Sequence, residues 1–267
     1  MDSTPSRAAC DFDLSRRDRV RTIALGAACH TTFLVAITTM IVSLHQGLQL
    51  GLGRLAGRSA SIANAALALS FPLLHSWLLT RRGARLLDRL FGDGSGRLRT
   101  TSYALVASLQ LLFVFGLWSP SDRELWRAQG NTRFLFEMLF AASWLLLARA
   151  MYDAGLAIQT GWLGWSEVAR GRIPRFKPFP TQGLFRFTRQ PVYFAFVCTL
   201  WSSPVLTWDG ILLGVVWTLY CLVGPLHKES RILAREPLRY AHYRARVPYF
   251  LPFISRPLRS DGGSRCE

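Results

Sequence analysis

Between residues 22 and 44 the chain carries no Asp, Glu, Lys or Arg. An α-helix rises about 1.5 Å per residue, so about 20 such residues cross the hydrocarbon core of a bilayer. In lipid the backbone must satisfy its own hydrogen bonds, and a helix does so within one segment. Five further apolar runs follow, at residues 62–79, 103–118, 134–148, 192–206 and 211–226. They are shorter and must recruit flanking residues to span. The last two are separated only by Thr207, Trp208, Asp209 and Gly210, which predicts a tight helical hairpin. The expected fold is all-α, a polytopic membrane bundle of about six transmembrane helices.

Half of the residues are hydrophobic, yet the formal net charge is +16, so the charge must be segregated from the apolar mass. Arg7, Arg16, Arg17, Arg19 and Arg21 precede the first run; Arg81, Arg82, Arg85, Arg89, Arg97 and Arg99 follow the second. Arg170, Arg172, Arg175, Lys177, Arg186 and Arg189 lie between the fourth and fifth, and the tail adds Lys228 and eight arginines. The opposite side carries Arg54, Arg58, Arg123, Arg127 and Arg133. Cytoplasmic loops hold the excess of Lys and Arg, so six spans predict both termini in the cytoplasm.

A charge of this size also suits nucleic acid, but these cations flank apolar runs and form no nucleic-acid-binding motif, so no nucleic-acid partner is expected. Membrane lipids are the expected surroundings. Ser15-Arg16-Arg17 is faintly like a twin-arginine signal, but the apolar run behind it is too long for a cleavable core and is read as a retained helix. Cys10, Cys29, Cys198, Cys221 and Cys266 are scattered without zinc-ligand or disulfide spacing. No phosphate-binding loop, His-Glu-x-x-His, nucleophile elbow or Gly-x-Gly-x-x-Gly occurs, which excludes the common soluble cofactor domains and offers no metal site.

The chain divides by composition. Residues 1–155 are runs and short connectors, with a flexible stretch expected at residues 92–96, and read as a scaffold. Residues 156–267 hold a long basic, proline-rich connection, the hairpin and a polar tail, the place to look for chemistry. From Gly183 the chain reads Gly-Leu-Phe-Arg-Phe-Thr-Arg-Gln-Pro-Val-Tyr, with Pro191 suited to a helix start. Arg189, Gln190 and Tyr193 are therefore expected at the mouth of the bundle. Glu229 falls at the far end of the hairpin, where antiparallel packing brings it level with Gln190; an ordinary ion pair with one of the many arginines is the alternative. Tyr240, Tyr243 and Arg244 share one helical face.

Residues 181–252 resemble the C-terminal region of the isoprenylcysteine carboxyl methyltransferase-like superfamily of membrane methyltransferases. The family pattern of Arg-His-Pro-x-Tyr, Glu-Glu-x-x-Leu, Tyr-x-x-Tyr and Val-Pro-x-x-x-Pro is met in order and spacing. The corresponding stretches are Arg189-Gln190-Pro191-Val192-Tyr193, Lys228-Glu229-Ser230-Arg231-Ile232, Tyr240-Ala241-His242-Tyr243 and Val247-Pro248-Tyr249-Phe250-Leu251-Pro252. The family histidine is Gln190 here, and the first glutamate of its pair is Lys228. Within the superfamily the likeness is greatest to members that methylate methanethiol, which also share the look of His75-Ser76 and Arg81-Arg82. The resemblance implies S-adenosyl-L-methionine as cofactor, bound between hairpin and cytoplasmic tail, and a small apolar or lipophilic acceptor, foremost a thiol such as methanethiol. It implies Gln190, Pro191, Tyr193, Glu229 and Tyr243 as cofactor-binding residues and Arg189 and Arg246 as catalytic ones. Other acceptors (a lipid, an isoprenoid, a prenylcysteine carboxylate), a catalytically silent protein of the same fold and a membrane reductase remain as alternatives.

Overall fold

The computed structural model describes residues 12–92 and 94–252. Arg7, Cys10, Asp93, Arg256, Arg259, Arg265 and Cys266 lie outside the described residues. Helix α1 (Arg16–His45) starts at Ser15, whose hydroxyl oxygen accepts the Asp18 N–H at 3.1 Å. Helix α2 (Gly57–Leu78) leads into α3 (Arg81–Phe91), a short amphipathic helix capped by Thr80. Helix α4 (Arg99–Leu117) and strand β1 (Glu124–Arg127) follow, then α5 (Gly130–Asp153), a single turn α6 (Leu156–Gln159) and α7 (Trp162–Ala169). After a 3₁₀ turn at Gly183–Arg186 come α8 (Pro191–Trp201), strand β2 (Val205–Thr207), α9 (Trp208–Arg235) and α10 (Pro237–Arg246).

Five of these helices, α1, α2, α4, α5 and α9, are long and apolar enough to cross a membrane. Leu34, Leu73, Leu145 and Leu219 stand exposed on four of them, as lipid-facing side chains do. The chain is a multi-pass membrane protein. The expected sixth span is shorter than the apolar run that suggested it. Helix α8 stops at Trp201, because Pro204 has no N–H to continue it. Val205–Thr207 instead pairs antiparallel with β1, matching Thr207 to Glu124 and Val205 to Arg127. The connection of the hairpin is accordingly six residues, 202–207, in place of the expected four, and α9 begins at Trp208 with the Thr207 hydroxyl accepting the Gly210 N–H at 2.9 Å. Asp209, buried in the first turn of α9, accepts from Ser121 N at 2.8 Å and from its hydroxyl at 2.6 Å. It also accepts from the Asn64 amide at 3.2 Å.

The core runs between α1, α2, α4, α8 and α9, around Met40, Phe115, Trp118, Leu213 and Trp217. The Trp217 indole donates to the Ala68 carbonyl at 2.9 Å, giving that buried N–H a partner. Helix α7 lies against α1, where Gly26 leaves room for Trp165, and the Trp165 indole donates to His30 Nε2 at 3.0 Å. A Cβ on Gly26 would come within 2.3 Å of that indole. Gly92, Gly94 and Gly96 lie in the connection from α3 to α4, which is fastened by the ion pair between Arg99 and the buried Asp88.

Candidate active site

Four separated pieces of the second half converge at one end of α9. The first is the turn before α8. Its Gly183 has φ +62°, a left-handed conformation, and a Cβ there would meet the Asp153 carboxylate at 2.3 Å. Asp153, at the end of α5, accepts the Leu184 N–H at 2.9 Å and is paired with Arg149 at 3.1 Å. Gln190 is the N-cap of α8 and Pro191 its first residue, where the missing N–H costs nothing.

The second and third pieces are the last turns of α9 and helix α10. Gln190 Nε2 donates to Glu229 Oε1 at 2.8 Å, and Arg189 Nη1 stands 3.2 Å from Glu229 Oε2. All three residues are buried: Arg189 is 8 %, Gln190 2 % and Glu229 6 % exposed. The Tyr243 hydroxyl donates to the Phe185 carbonyl at 2.7 Å, fastening α10 to the 3₁₀ turn. The fourth piece is the irregular segment after α10, residues 247–252. The Pro248 carbonyl accepts the Arg189 N–H at 3.0 Å, and the Phe250 carbonyl accepts the Thr188 hydroxyl at 2.8 Å. The Tyr249 ring lies 5.4 Å from the Arg189 guanidinium, and its hydroxyl donates to Leu222 at 2.6 Å.

Between these pieces is a cavity of about 30 Å³ lined by Phe179, Pro180, Phe185, Arg189, Gln190, Lys228, Ile232, Tyr240 and Tyr243. Three buried polar atoms have no hydrogen-bond partner: Arg189 Nε, Arg189 Nη1 and Gln190 Oε1. The Arg189–Glu229 pair is thus close in space but misaligned as a hydrogen bond, which leaves donor and acceptor capacity unspent among buried side chains. Burial, with the Glu229 carboxylate beside it, pushes the Tyr240 hydroxyl above the ordinary phenol range. Burial does the same to Tyr243 and takes Tyr249 up to about 12, Glu229 adding to the rise and Arg189 opposing it. These phenols are hydrogen-bond donors at neutral pH rather than bases.

Of the residues expected from sequence, Arg189, Gln190, Glu229 and Tyr243 come together. Pro191 is buried behind them, and Tyr193 faces Tyr220 and Lys228, with ring centres 6.5 Å apart and the ammonium 5.9 Å from the Tyr193 ring. Arg246 is exposed on the last turn of α10 and does not line the cavity. Lys228, marked in the sequence as the departure from the family pair, lines the cavity, as do Phe179, Pro180, Phe185, Ile232 and Tyr240, which were not among the expected site residues. Tyr240 was signalled by its shared helical face with Tyr243; nothing in the spacing signalled Phe179. His75 lies elsewhere, stacked on Phe71 and tilted against Tyr103, with ring centres 4.9 Å away in each case. Among the described residues no cluster could hold a metal ion.

No family model and no solved structure matches this chain. Curated relatives do. A methanethiol S-methyltransferase of Mycobacterium tuberculosis is 26% identical over 248 residues, covering 89% of this chain and 98% of that protein. One from Crocosphaera subtropica is 24% identical, covering 74% and 77%. Nurim of Sus scrofa is 30% identical over 205 residues, 72% of each chain. These alignments cover most of the chain, and the matched motifs converge on one buried cluster. The chain therefore belongs to the isoprenylcysteine carboxyl methyltransferase-like superfamily of membrane methyltransferases, alongside the methanethiol S-methyltransferases and nurim.

Proposed function

We propose that the protein is a membrane-embedded methyltransferase that uses S-adenosylmethionine and methylates a small apolar acceptor, a thiol such as methanethiol. The relatives named methanethiol S-methyltransferase support methyl transfer. The observation that carries the donor site is the trio of buried, unpartnered polar atoms on Arg189 and Gln190 beside Glu229. An amino acid end group fits that set: the guanidinium suits a carboxylate, while Glu229 Oε2 and Gln190 Oε1 suit an ammonium. Phe185 and Tyr243 offer ring faces for a sulfonium or a purine. When bound, the donor supplies a methyl group already activated on sulfonium sulfur. The chain's task is then alignment and exclusion of water, which supply several kcal/mol of a transfer barrier. Pro191 and Tyr193 back the residues that line the cavity, and Arg246, outside it on the last turn of α10, is a cation for an anionic acceptor once the site has opened.

Ligand pockets usually hold about 300–1,000 Å³, whereas this cavity has room for about one water. Donor entry thus entails outward movement of α10 and the extended segment carrying Phe179. In this reading residues 1–155 are the scaffold and residues 156–267 the methyl-transfer unit, with both termini and the site on the cytoplasmic side, as the distribution of arginines favours. Reporter fusions after residue 267 and in the segment between α4 and β1 should report opposite sides.

The test is calorimetric titration of the detergent-purified protein with S-adenosylmethionine. Micromolar binding in the wild type, abolished in Glu229→Ala, is the expected result; absence of wild-type binding would overturn the proposal. A non-catalytic membrane protein is the second reading, favoured by the 30% identity to nurim, whose name states no activity. That absence of binding would support it.

A further inference from the structure

Lys228 stands where the superfamily pattern has the first glutamate of its pair, and it lines the same cavity as Arg189 and Gln190. Its ammonium lies 6.0 Å from the centre of the Phe185 ring and 5.9 Å from that of Tyr193. Among the described residues no carboxylate is within ion-pair distance of it. Enclosure deprives this ammonium of water, while the ring faces and the carboxylate of Glu229, next in the chain, offset part of that loss.

The cavity wall therefore carries two cations, Arg189 and Lys228, against the adjoining carboxylate of Glu229, for a net charge of +1, and Arg231 further along α9 adds to the positive field at Lys228. Glu229 is engaged by Arg189 and Gln190, so Lys228 is the uncompensated member. The donor of the preceding section has one carboxylate, one ammonium and one sulfonium, and is also +1. A neutral acceptor would leave the loaded site at +2 in a low-dielectric enclosure, where like charges repel strongly. An anionic acceptor lowers it to +1, and its charge disappears in the reaction.

We infer that Lys228 selects acceptors that react as anions, a thiolate or a carboxylate, by holding the anion at its own ammonium. This rests on the donor-binding reading above. The acceptor reaches the site as its anion, having left its proton to water. Its sulfur or oxygen lone pair forms the new bond to the methyl carbon as the carbon–sulfonium bond breaks, and that electron pair returns to sulfur. A neutral thioether or ester results, with neutral S-adenosylhomocysteine. Loss of charge removes the product's hold on Lys228 and favours its departure into lipid.

Hexanethiol, hexanoate and hexanol share one chain and differ in the group that reacts. Their binding is measured by calorimetry on the full-length protein saturated with S-adenosylhomocysteine, and their methylation with S-adenosylmethionine. Wild type should bind or methylate the thiol or the carboxylate and ignore the alcohol, and which of the two it prefers identifies the acceptor class. Lys228→Met should weaken binding of the anion by about tenfold or more while donor affinity holds or rises, and Lys228→Arg should restore it. Lys228→Glu should tighten donor binding and abolish that of the anion. Donor binding in wild type with equal binding of all three compounds, or with none, would overturn the inference and leave the donor site standing. Wild type that fails to bind S-adenosylmethionine would overturn both.

Discussion

Gln190 and Glu229, 39 positions apart in the chain, meet through a 2.8 Å hydrogen bond that ties the start of α8 to the last turns of α9. Gln190→Leu would take a donor from a buried carboxylate, at a cost of about 1–3 kcal/mol in stability. Gln190→His would return an N–H and recover most of it. Thermal unfolding of the detergent-solubilised variants measures both; equal melting temperatures for Leu and wild type would show that the bond contributes nothing.

Glu229→Ala is the harsher change, since it leaves the Arg189 guanidinium buried without a counter-charge. Removing one partner of a buried pair costs about 3–5 kcal/mol. Glu229→Ala combined with Arg189→Met should regain stability without regaining donor binding. The pair of measurements separates the fold from the site.

Asp209 sits at the other end of α9, about 30 Å away by helical rise. Asp209→Ala would strip the acceptor from Ser121 and Asn64 and lower stability by about 2–4 kcal/mol, each buried donor costing about 1–3. Donor affinity should be unchanged at temperatures where the variant is folded. A parallel loss of affinity would mean that the two ends are energetically coupled.

Tyr249 links the tail to α9 and Arg189, and its hydroxyl is held up to about 12. A phenol raised in the folded state contributes stability that is complete below its unfolded value of about 10 and is lost as pH climbs from there through 12. The melting temperature of wild type should therefore fall across that window more steeply than that of Tyr249→Phe. Identical slopes would place the alkaline sensitivity elsewhere.

Gly183→Ala places a Cβ against the Asp153 carboxylate on a left-handed backbone. The backbone alone costs about 1–2 kcal/mol, and the clash adds to it. A melting temperature equal to wild type would show that the turn relaxes freely.

Much of this was legible beforehand because lipid imposes a simple code. Apolar runs, charge-free except for Glu137 in α5, marked α1, α2, α4, α5 and α9, and arginine clusters bounded them. Helix α8 was read too long, although Pro204 stood in plain view as a stop, because hydropathy alone does not register a missing N–H. The strands β1 and β2 are too short to show alternation. At the site, the meeting of Arg189, Gln190, Glu229 and Tyr243 followed from the hairpin and the resemblance. The position of Lys228 against Phe185 and Tyr193 did not, since it depends on the rotation of α9 about its own axis, which composition does not fix.

The carbonyls of Pro248 and Phe250 hold the segment that opens α8, and those residues are the last part of the site to be synthesised. All five helices long and apolar enough to cross a membrane precede them in the chain. A chain interrupted before residue 248 would still carry those five helices, and would pass any cellular inspection that senses only whether they are seated in the bilayer.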